Sequence, residues 1–444
     1  MSEDIKITGK TLEKFPDVVK ALAAVKKAYA LTNARFGLLE KEKAEKVVAF
    51  CDAVIANPPK ELFTEIWQSD LTMLNARFNQ YAQKETGVSV SDLNLFQSTP
   101  DVSQTVESIV IYKRLGEALD GIAYMQKALA QKAIEFKDEI RLMRTHLQES
   151  AVSTWGQTFG GFSLAIGRAC RRIACDRESF RFVTAGATLF GVSIQDESEY
   201  SKALLKTMSE IVGIELKRPG CGYEPVEKSA LLDELTGSEK LMNLTSDLKA
   251  LAMINGKIGR VFVIYGSGPR AGIAEIMLPA IAPGSTIMPG KINPSMCHLV
   301  WQMSEFVTAN EQMAAFSYNE VDSDLTHQMG GAFITLIESI EILGKGARLF
   351  TDKCLTGFKV KTDVNIEHAT KAYSLVNLVE AFKGKEVAEK VLARMKAEDL
   401  SCREACVKEG VYTEKEAGCL FDVKTMAQHG MDCEKIAFFL GLKK

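Results

Sequence analysis

Between Gly266 and Pro294 the chain loses its hydrophobic period and alternates glycine and proline with polar residues. A long irregular segment between two long helical patterns is usually functional or mobile. This one ends in Gly284-Ser285-Thr286-Ile287-Met288-Pro289-Gly290-Lys291-Ile292-Asn293-Pro294. It holds a hydroxyl (Ser285), an ammonium (Lys291) and an amide (Asn293), with Gly284 and Gly290 as possible hinges. A second polar group, Gln97-Ser98-Thr99-Pro100-Asp101, directly precedes a long apolar period. A helix N-terminus there would favour an anion, or the same residues would serve only as helix caps. A third is Met143-Arg144-Thr145-His146-Leu147-Gln148. Other chemistries lack their residues. There is no dinucleotide-binding glycine pattern and no phosphate loop. The ten cysteines form no CxxC pair, and Cys402 and Cys406, four apart, have no partners for a zinc set.

These groups must be positioned by helices. All eleven prolines lie at or before Pro294, and none falls between Pro100 and Pro219. Proline breaks helix interiors, so both proline-free stretches are free to be helical. Val102, Val106, Ile109, Val110, Leu115, Leu119, Ile122, Met125, Leu129 and Phe136 recur at helical spacing and predict one long amphipathic helix. Leu231–Val263 and Ile292–Phe316 predict two more. Strand signals are confined to Ile5-Lys6-Ile7 and Val88-Ser89-Val90. The expected fold is all-α, a bundle of long helices: an N-terminal helical region over 1–95, a central domain over 96–350 carrying the 284–294 loop, and a small C-terminal helical domain over 351–444. Apolar faces this long usually need more partners than one chain supplies, which points to oligomerisation. With 54 basic against 57 acidic residues the net charge is −3, so neither a nucleic-acid footprint nor a polybasic membrane signal is present. No apolar run is long enough to span a bilayer, and Met1–Lys14 lacks the apolar core of a secretion signal. The expected location is cytoplasmic.

The 284–294 segment resembles the signature loop of the fumarase/aspartase superfamily, Gly-Ser-Ser/Thr-x-Met-Pro-x-Lys-x-Asn-Pro, at every fixed position. Arg144-Thr145-His146-Leu147-Gln148 followed by Gly156-Gln157, the Gln97–Asp101 segment, Ser267-Gly268-Pro269-Arg270 and Cys402-Arg403-Glu404 are similar to further segments of that family's aspartase/fumarase branch. Trp67-Gln68 through Asn75 is a weaker likeness. On this resemblance the short lead those enzymes carry before the region of Lys6–Gly9 is expected to be absent.

The resemblance implies a lyase that takes a proton from the carbon beside a carboxylate and expels an amine or hydroxyl from the neighbouring carbon, through a carbanion. It implies Ser285 as base, with His146 catalytic and, with Thr145, near the leaving group. Ser98, Thr99, Lys291 and Asn293 would hold substrate carboxylate, and Asp70, Thr72 and His298 would occupy substrate-binding positions. Gly284, Gly290 and Arg270 would shape the loop. His146 could also be a plain structural histidine, and His327, His368 and His429 are read as surface or structural. No metal or organic cofactor is implied. A homotetramer with active sites shared between three subunits is implied, with a small-molecule carboxylate as substrate.

Three departures bear on specificity. The family's asparagine after Ser-Ser/Thr is Pro100, which has no donor. The glutamate seven positions beyond the family lysine is His298, and an imidazole cannot raise a neighbouring histidine's pKa as a carboxylate does. The segment after Trp67-Gln68 is shortened and places Asp70 where a donor is expected. These changes point away from aspartate, malate or fumarate and toward a substrate with one carboxylate. The leading expectation is an ammonia-lyase-like elimination. A fumarase-like C–O lyase and an inactive member that only binds are the alternatives.

Overall fold

The structure is a computed structural model that describes residues 10–11, 14–63, 65–66, 70–186, 199–220, 222–223, 226, 229–237, 239–319 and 330–442. In chain order the elements begin with β1 (Lys10–Thr11), α1 (Pro16–Arg35), α2 (Lys41–Ala56), β2 (Glu65–Ile66), α3 (Asp70–Thr86), α4 (Val90–Leu93) and α5 (Thr99–Glu135). Next come β3 (Ile140–Thr145), β4 (Gln148–Thr154), α6 (Trp155–Ser179), α7 (Glu199–Val212), α8 (Ser229–Thr236), α9 (Glu239–Tyr265) and β5 (Ile276–Met277). Then follow α10 (Ser295–Asn319), α11 (Gly330–Phe350), β6 (Lys359–Val360) and α12 (Thr362–Lys371). The chain closes on α13 (Val376–Lys383), α14 (Lys385–Glu398), α15 (Cys402–Lys408), α16 (Glu414–Leu420), α17 (Val423–Gln428) and α18 (Cys433–Phe439). The fold is mainly helical, and its strands pair only as three two-stranded antiparallel ribbons.

The chain divides into two compact units, each assembled from three segments. The first comprises residues 1–122, 168–253 and 303–346. Its core takes Val18, Leu22, Val25 and Tyr29 from α1, Val106 and Ile109 from α5, Leu244 and Leu248 from α9, and Phe333 and Ile337 from α11. The second comprises residues 123–167, 254–302 and 347–444. It is centred on Trp155, Phe159, Phe262 and Phe358, with Phe358 4.8 Å from Phe262 and 5.0 Å from Phe159 between ring centres. Its C-terminal helices bury a core of their own, including Val379, Val391, Met395, Cys402, Cys406 and Leu420.

The helix predicted from Val102 runs 37 residues, Thr99–Glu135. Pro100 falls in its first turn, where the missing N–H costs nothing. The helix predicted over Leu231–Val263 is two. Gly237 closes α8 by donating to Asp233 O at 2.6 Å, because glycine weakens a helix interior and favours its end. Val88-Ser89-Val90 is not a strand. Ser89 Oγ accepts from Asp92 N at 3.2 Å and caps α4, so the apolar-polar-apolar pattern there belongs to a capped turn. Ile5–Ile7 lies outside the described residues. The proline-free stretch after Pro100 is not helical throughout, since residues 140–154 form the β3–β4 hairpin.

Candidate active site

Gly284–Pro294 folds as a tight loop closed at its base. Gly284 N donates to Lys291 O at 2.9 Å, and Pro283 and Ile292 face each other in an antiparallel bridge. Asn293 Nδ2 donates to Gly284 O at 3.0 Å and makes the closure a clamp. Only glycine fits at 284, because a Cβ there would lie 2.6 Å from Lys291 O. At Gly290 the requirement is conformational: its φ of +79° is in the left-handed region, where a side chain is strained. The loop's outer residues are exposed, Ile287 at 83%, and its far end leads directly into α10.

Ser285 is half-buried beside the closure. Its Oγ accepts a hydrogen bond from Ile287 N at 3.2 Å. A backbone donor on that oxygen favours its anionic form. Lys291 is exposed. The structure thus brings Gly284, Ser285, Lys291 and Asn293 together. Arg270 does not fix the upstream part of the loop by hydrogen bonding: its side chain is exposed and makes no hydrogen bond among the described residues. Ser267 does that work. Its Oγ donates to Ile264 O at 2.6 Å and accepts from Ile273 N at 3.1 Å, while Gly272 packs against the Ser267 backbone so closely that a Cβ would sit 2.5 Å from it.

Thr145 and His146 lie at the tip of the β3–β4 hairpin, both exposed. His146 and Leu147 form the two-residue turn, with φ of +50° and +62°. Such a turn matches strand twist but ordinarily uses Asn-Gly or Asp-Gly. A histidine and a leucine held there are strained, and strain of this kind collects at functional sites. No hydrogen bond joins Thr145 or His146 to the 284–294 loop among the described residues.

What holds this tip is a buried cluster that sequence reasoning missed. Arg144 Nη2 lies 2.6 Å from Glu275 Oε1, with side-chain exposures of 10% and 0%. His368 Nδ1 from α12 reaches the same oxygen at 2.8 Å. The Arg144 guanidinium lies over the Tyr265 ring at 5.2 Å. Asn365 of α12 donates to Glu275 O at 2.7 Å and accepts from Trp155 Nε1 at 3.0 Å. At the hairpin's other end Thr154 and Gln157 cap α6 reciprocally, Gln157 N to Thr154 Oγ1 at 3.0 Å and Thr154 N to Gln157 Oε1 at 3.3 Å. Gly156 is needed where α6 meets the end of α5, since a Cβ there would lie 2.5 Å from Lys137 Cα. Glu275 carries a faint sequence signal, a carboxylate between the apolar neighbours Ala274 and Ile276.

In the first unit Ser98 and Thr99 sit half-buried at the start of α5. Neither side chain makes a hydrogen bond among the described residues, so neither caps the helix. Two hydroxyls therefore stand at the positive end of a long helix, where an anion is favoured. Asp70 is the first residue of α3 and Thr72 is half-buried on it, while Trp67, Gln68 and Ser69 lie outside the described residues, as does His327. In the second unit His298 is exposed one turn into α10 and stacks on Trp301, ring centres 5.9 Å apart at 17°. The Arg260 guanidinium lies over Trp301 at 4.6 Å.

Comparison with known proteins gives these groups a context. A family model described as lyase matches residues 1–308. An aspartate ammonia-lyase from Bacillus sp is 29% identical over 445 residues, covering 97% of this chain and 93% of its own. A class II fumarate hydratase from Halalkalibacterium halodurans is also 29% identical, covering 93% and 91%. Among solved structures, the fumarate lyase:delta crystallin from Brucella melitensis superposes with a TM-score of 0.86 at 25% identity, covering 96% of this chain and 94% of that one. The class II fumarase from Schistosoma mansoni shares the fold, with a TM-score of 0.83 at 21% identity. With the loop, the hairpin tip and the helix start all present, the chain is a lyase, acting on a C–N or C–O bond, and it belongs to the fumarase/aspartase superfamily.

Proposed function

We propose that this lyase expels an amine from an amino-acid-type substrate with a single carboxylate. Ser285 Oγ takes the proton from the carbon beside the carboxylate. The electron pair spreads onto that carboxylate and then forms the double bond as the C–N bond breaks, and the amine leaves with its electrons. Lys291 and Asn293 offset the charge that develops on the carboxylate, as a point charge and a hydrogen-bond donor. Ser98 and Thr99 add donors at the start of α5, and Thr145 and His146 face the leaving group. The observation that carries this reading is the hydrogen bond from Ile287 N to Ser285 Oγ within the closed loop, since a serine is a base only when its alkoxide is stabilised. Pro100 and Asp70 support the substrate class: one removes a donor and the other brings negative charge, which suits a cationic amine better than a second carboxylate. The fumarate hydratase at equal identity keeps elimination of a hydroxyl as the second reading.

An ultraviolet screen for new conjugated double bonds, over amino acids and hydroxy acids, separates the two. Efficient deamination of aspartate by the unmodified protein would overturn the single-carboxylate assignment. Replacing Asp70 by threonine and Pro100 by asparagine together should move activity toward aspartate or malate.

The same reading includes a cytoplasmic homotetramer with active sites shared between three chains. Phe306, Met313 and Phe316 on α10 are exposed at 40%, 42% and 70%, and clustered exposed apolar side chains mark interfaces. No described helix is long and apolar enough to cross a membrane. Mixing Ser285→Ala chains with His146→Ala chains should restore part of the activity. A monomer by light scattering, or no restoration on subunit exchange, would count against it.

A further inference from the structure

Lys26 is an unusual group for a helix interior. It lies on α1 with 1% of its surface exposed, and among the described residues no carboxylate pairs with it. Its ammonium donates to two neutral amide oxygens, Asn94 Oδ1 and Gln97 Oε1, each at 2.8 Å. Buried charges are ordinarily paired, because removing an ion from water costs several kcal/mol. An unpaired one implies a role other than stability.

Its partners identify that role. Gln97 immediately precedes Ser98 and Thr99, and its other amide end donates to Leu93 O at 2.8 Å. Asn94 is held in turn by Asn79 Nδ2 at 2.9 Å. Between them Phe96 is in the left-handed region, at φ +58°, a strain that a non-glycine residue keeps only when its surroundings impose it. Lys26 thus grips both ends of the strained turn that delivers Ser98 and Thr99 to the start of α5.

We propose that Lys26 is a positioning residue for the anion site at Ser98 and Thr99, and that its buried positive charge, which has no counter-ion among the described residues, is answered by the substrate's carboxylate. This rests on the reading of Ser98 and Thr99 as carboxylate ligands. It adds a specific electrostatic partner that lies outside the hydroxyls themselves.

The charge and the hydrogen bonds are separable, because a neutral amine still donates to both amides. Burial lowers the Lys26 pKa to about 7. Cys51 on α2 is pushed up to about 12 by burial and stays neutral. Asp52 is paired with Lys27 at 2.5 Å, and Asp92 with Lys43 at 3.2 Å. Burial holds Tyr200 of α7 above its ordinary value. Asn75, Asn79, Asn94 and Gln97 carry no charge. Carboxylate affinity should therefore fall as pH rises through about 7, with the turn's geometry intact. Stability should move the other way. Below pH 7 the folded chain holds a buried ammonium, while between about 7 and 10.5 only the unfolded chain binds that proton, so stability rises with pH there.

The test is calorimetric titration of the whole chain with butyrate and succinate at pH 6 and pH 8, in a background of His146→Gln and His298→Gln that removes the two imidazoles assigned to the proposed site. Parent affinity should fall roughly five- to tenfold between the two pH values. Lys26→Arg, whose charge does not titrate, should flatten the profile. Lys26→Gln, which keeps a donor and loses the charge, should bind weakly at both. A flat parent profile overturns the proposal, and it decides the matter even if neither variant folds. So does parent-like binding by Lys26→Gln. If Ser98→Ala and Thr99→Ala also leave binding unchanged, the carboxylate assignment itself fails; if they weaken binding while Lys26→Gln does not, only the role of Lys26 falls.

Discussion

Two stretches of the second unit present polar groups at exposed tips, and they are held in opposite ways. The 284–294 loop is closed by backbone hydrogen bonds and one side-chain amide, with two glycines where side chains are excluded or strained. The β3–β4 hairpin tip has no glycine at its turn. It is held from behind by an ion pair whose carboxylate is fully buried. Weak, local closures open easily, whereas a buried charge pair is costly to break. Under the proposed chemistry the difference would assign roles: the loop would move against its substrate, and the hairpin would present Thr145 and His146 in a fixed, strained geometry. For an elimination, a base that closes over a carbon and a rigid partner at the leaving group are a workable pair.

The largest expected effect tests the rigid half. Glu275→Ala would leave Arg144 buried without its carboxylate, and loss of one partner of a buried pair costs about 3–5 kcal/mol. Urea unfolding should show a shift of that size, with His368→Ala producing a smaller one, because that imidazole is part-exposed. A loss under about 1 kcal/mol for Glu275→Ala would mean that the tip is not anchored there, and the contrast between the regions would dissolve.

Next comes the chemical half. Ser285→Ala should lower turnover at least about 100-fold, in the range for removal of a general base, with helical circular dichroism unchanged. Near-normal turnover would remove Ser285 as base.

The two regions were also unequally legible in the sequence. The loop announced itself because its glycines and prolines break the helical period and its polar residues fall at fixed spacing. The long helix from Thr99 and the late helix from Ser295 followed from apolar spacing and the absence of interior proline. The hairpin was hidden. Its turn is His146-Leu147 rather than a glycine pair, and its strands lie inside a proline-free stretch where a helix was equally allowed. The Glu275–His368 contact joins residues 93 positions apart, and no local pattern encodes that. Lys26 was invisible for a related reason: Lys26-Lys27 reads as a solvated pair, although Lys27 alone is partnered by an acid, Asp52.

A third, smaller effect concerns loop closure. Gly284→Ala would drive a Cβ to 2.6 Å from Lys291 O and 3.0 Å from Asn293 N, so the base of the loop must open. Catalytic efficiency should fall about tenfold, which corresponds to about 1.4 kcal/mol. Unfolding in urea should shift by less than for Glu275→Ala, because only the base of a local loop has to open. Gly290→Ala has open space around it and meets only the left-handed backbone, a penalty of about 1–2 kcal/mol. If Gly284→Ala unfolds the protein as readily as Glu275→Ala, the loop is as structural as the hairpin.

The smallest effect discriminates two uses of one side chain. Asn293 Nδ2 donates to Gly284 O, yet the proposed chemistry needs it to hold a carboxylate. A neutral hydrogen bond at a half-buried site contributes about 0.5–1.5 kcal/mol net. As a clamp, its removal in Asn293→Ala should speed hydrogen exchange of the Gly284 amide about two- to twelvefold. The amide has a second hydrogen, so clamp and carboxylate ligand are compatible, and the affinity for butyrate should drop along with the protection. Asn293→Asp tests the direction of the bond. A carboxylate cannot donate to Gly284 O and would repel it, so protection at Gly284 should fall further than in the alanine variant. Unchanged exchange in both variants would show that the backbone bridge alone closes the loop. Asn293 would then be free to serve substrate only, and the loop would be still less restrained relative to the hairpin.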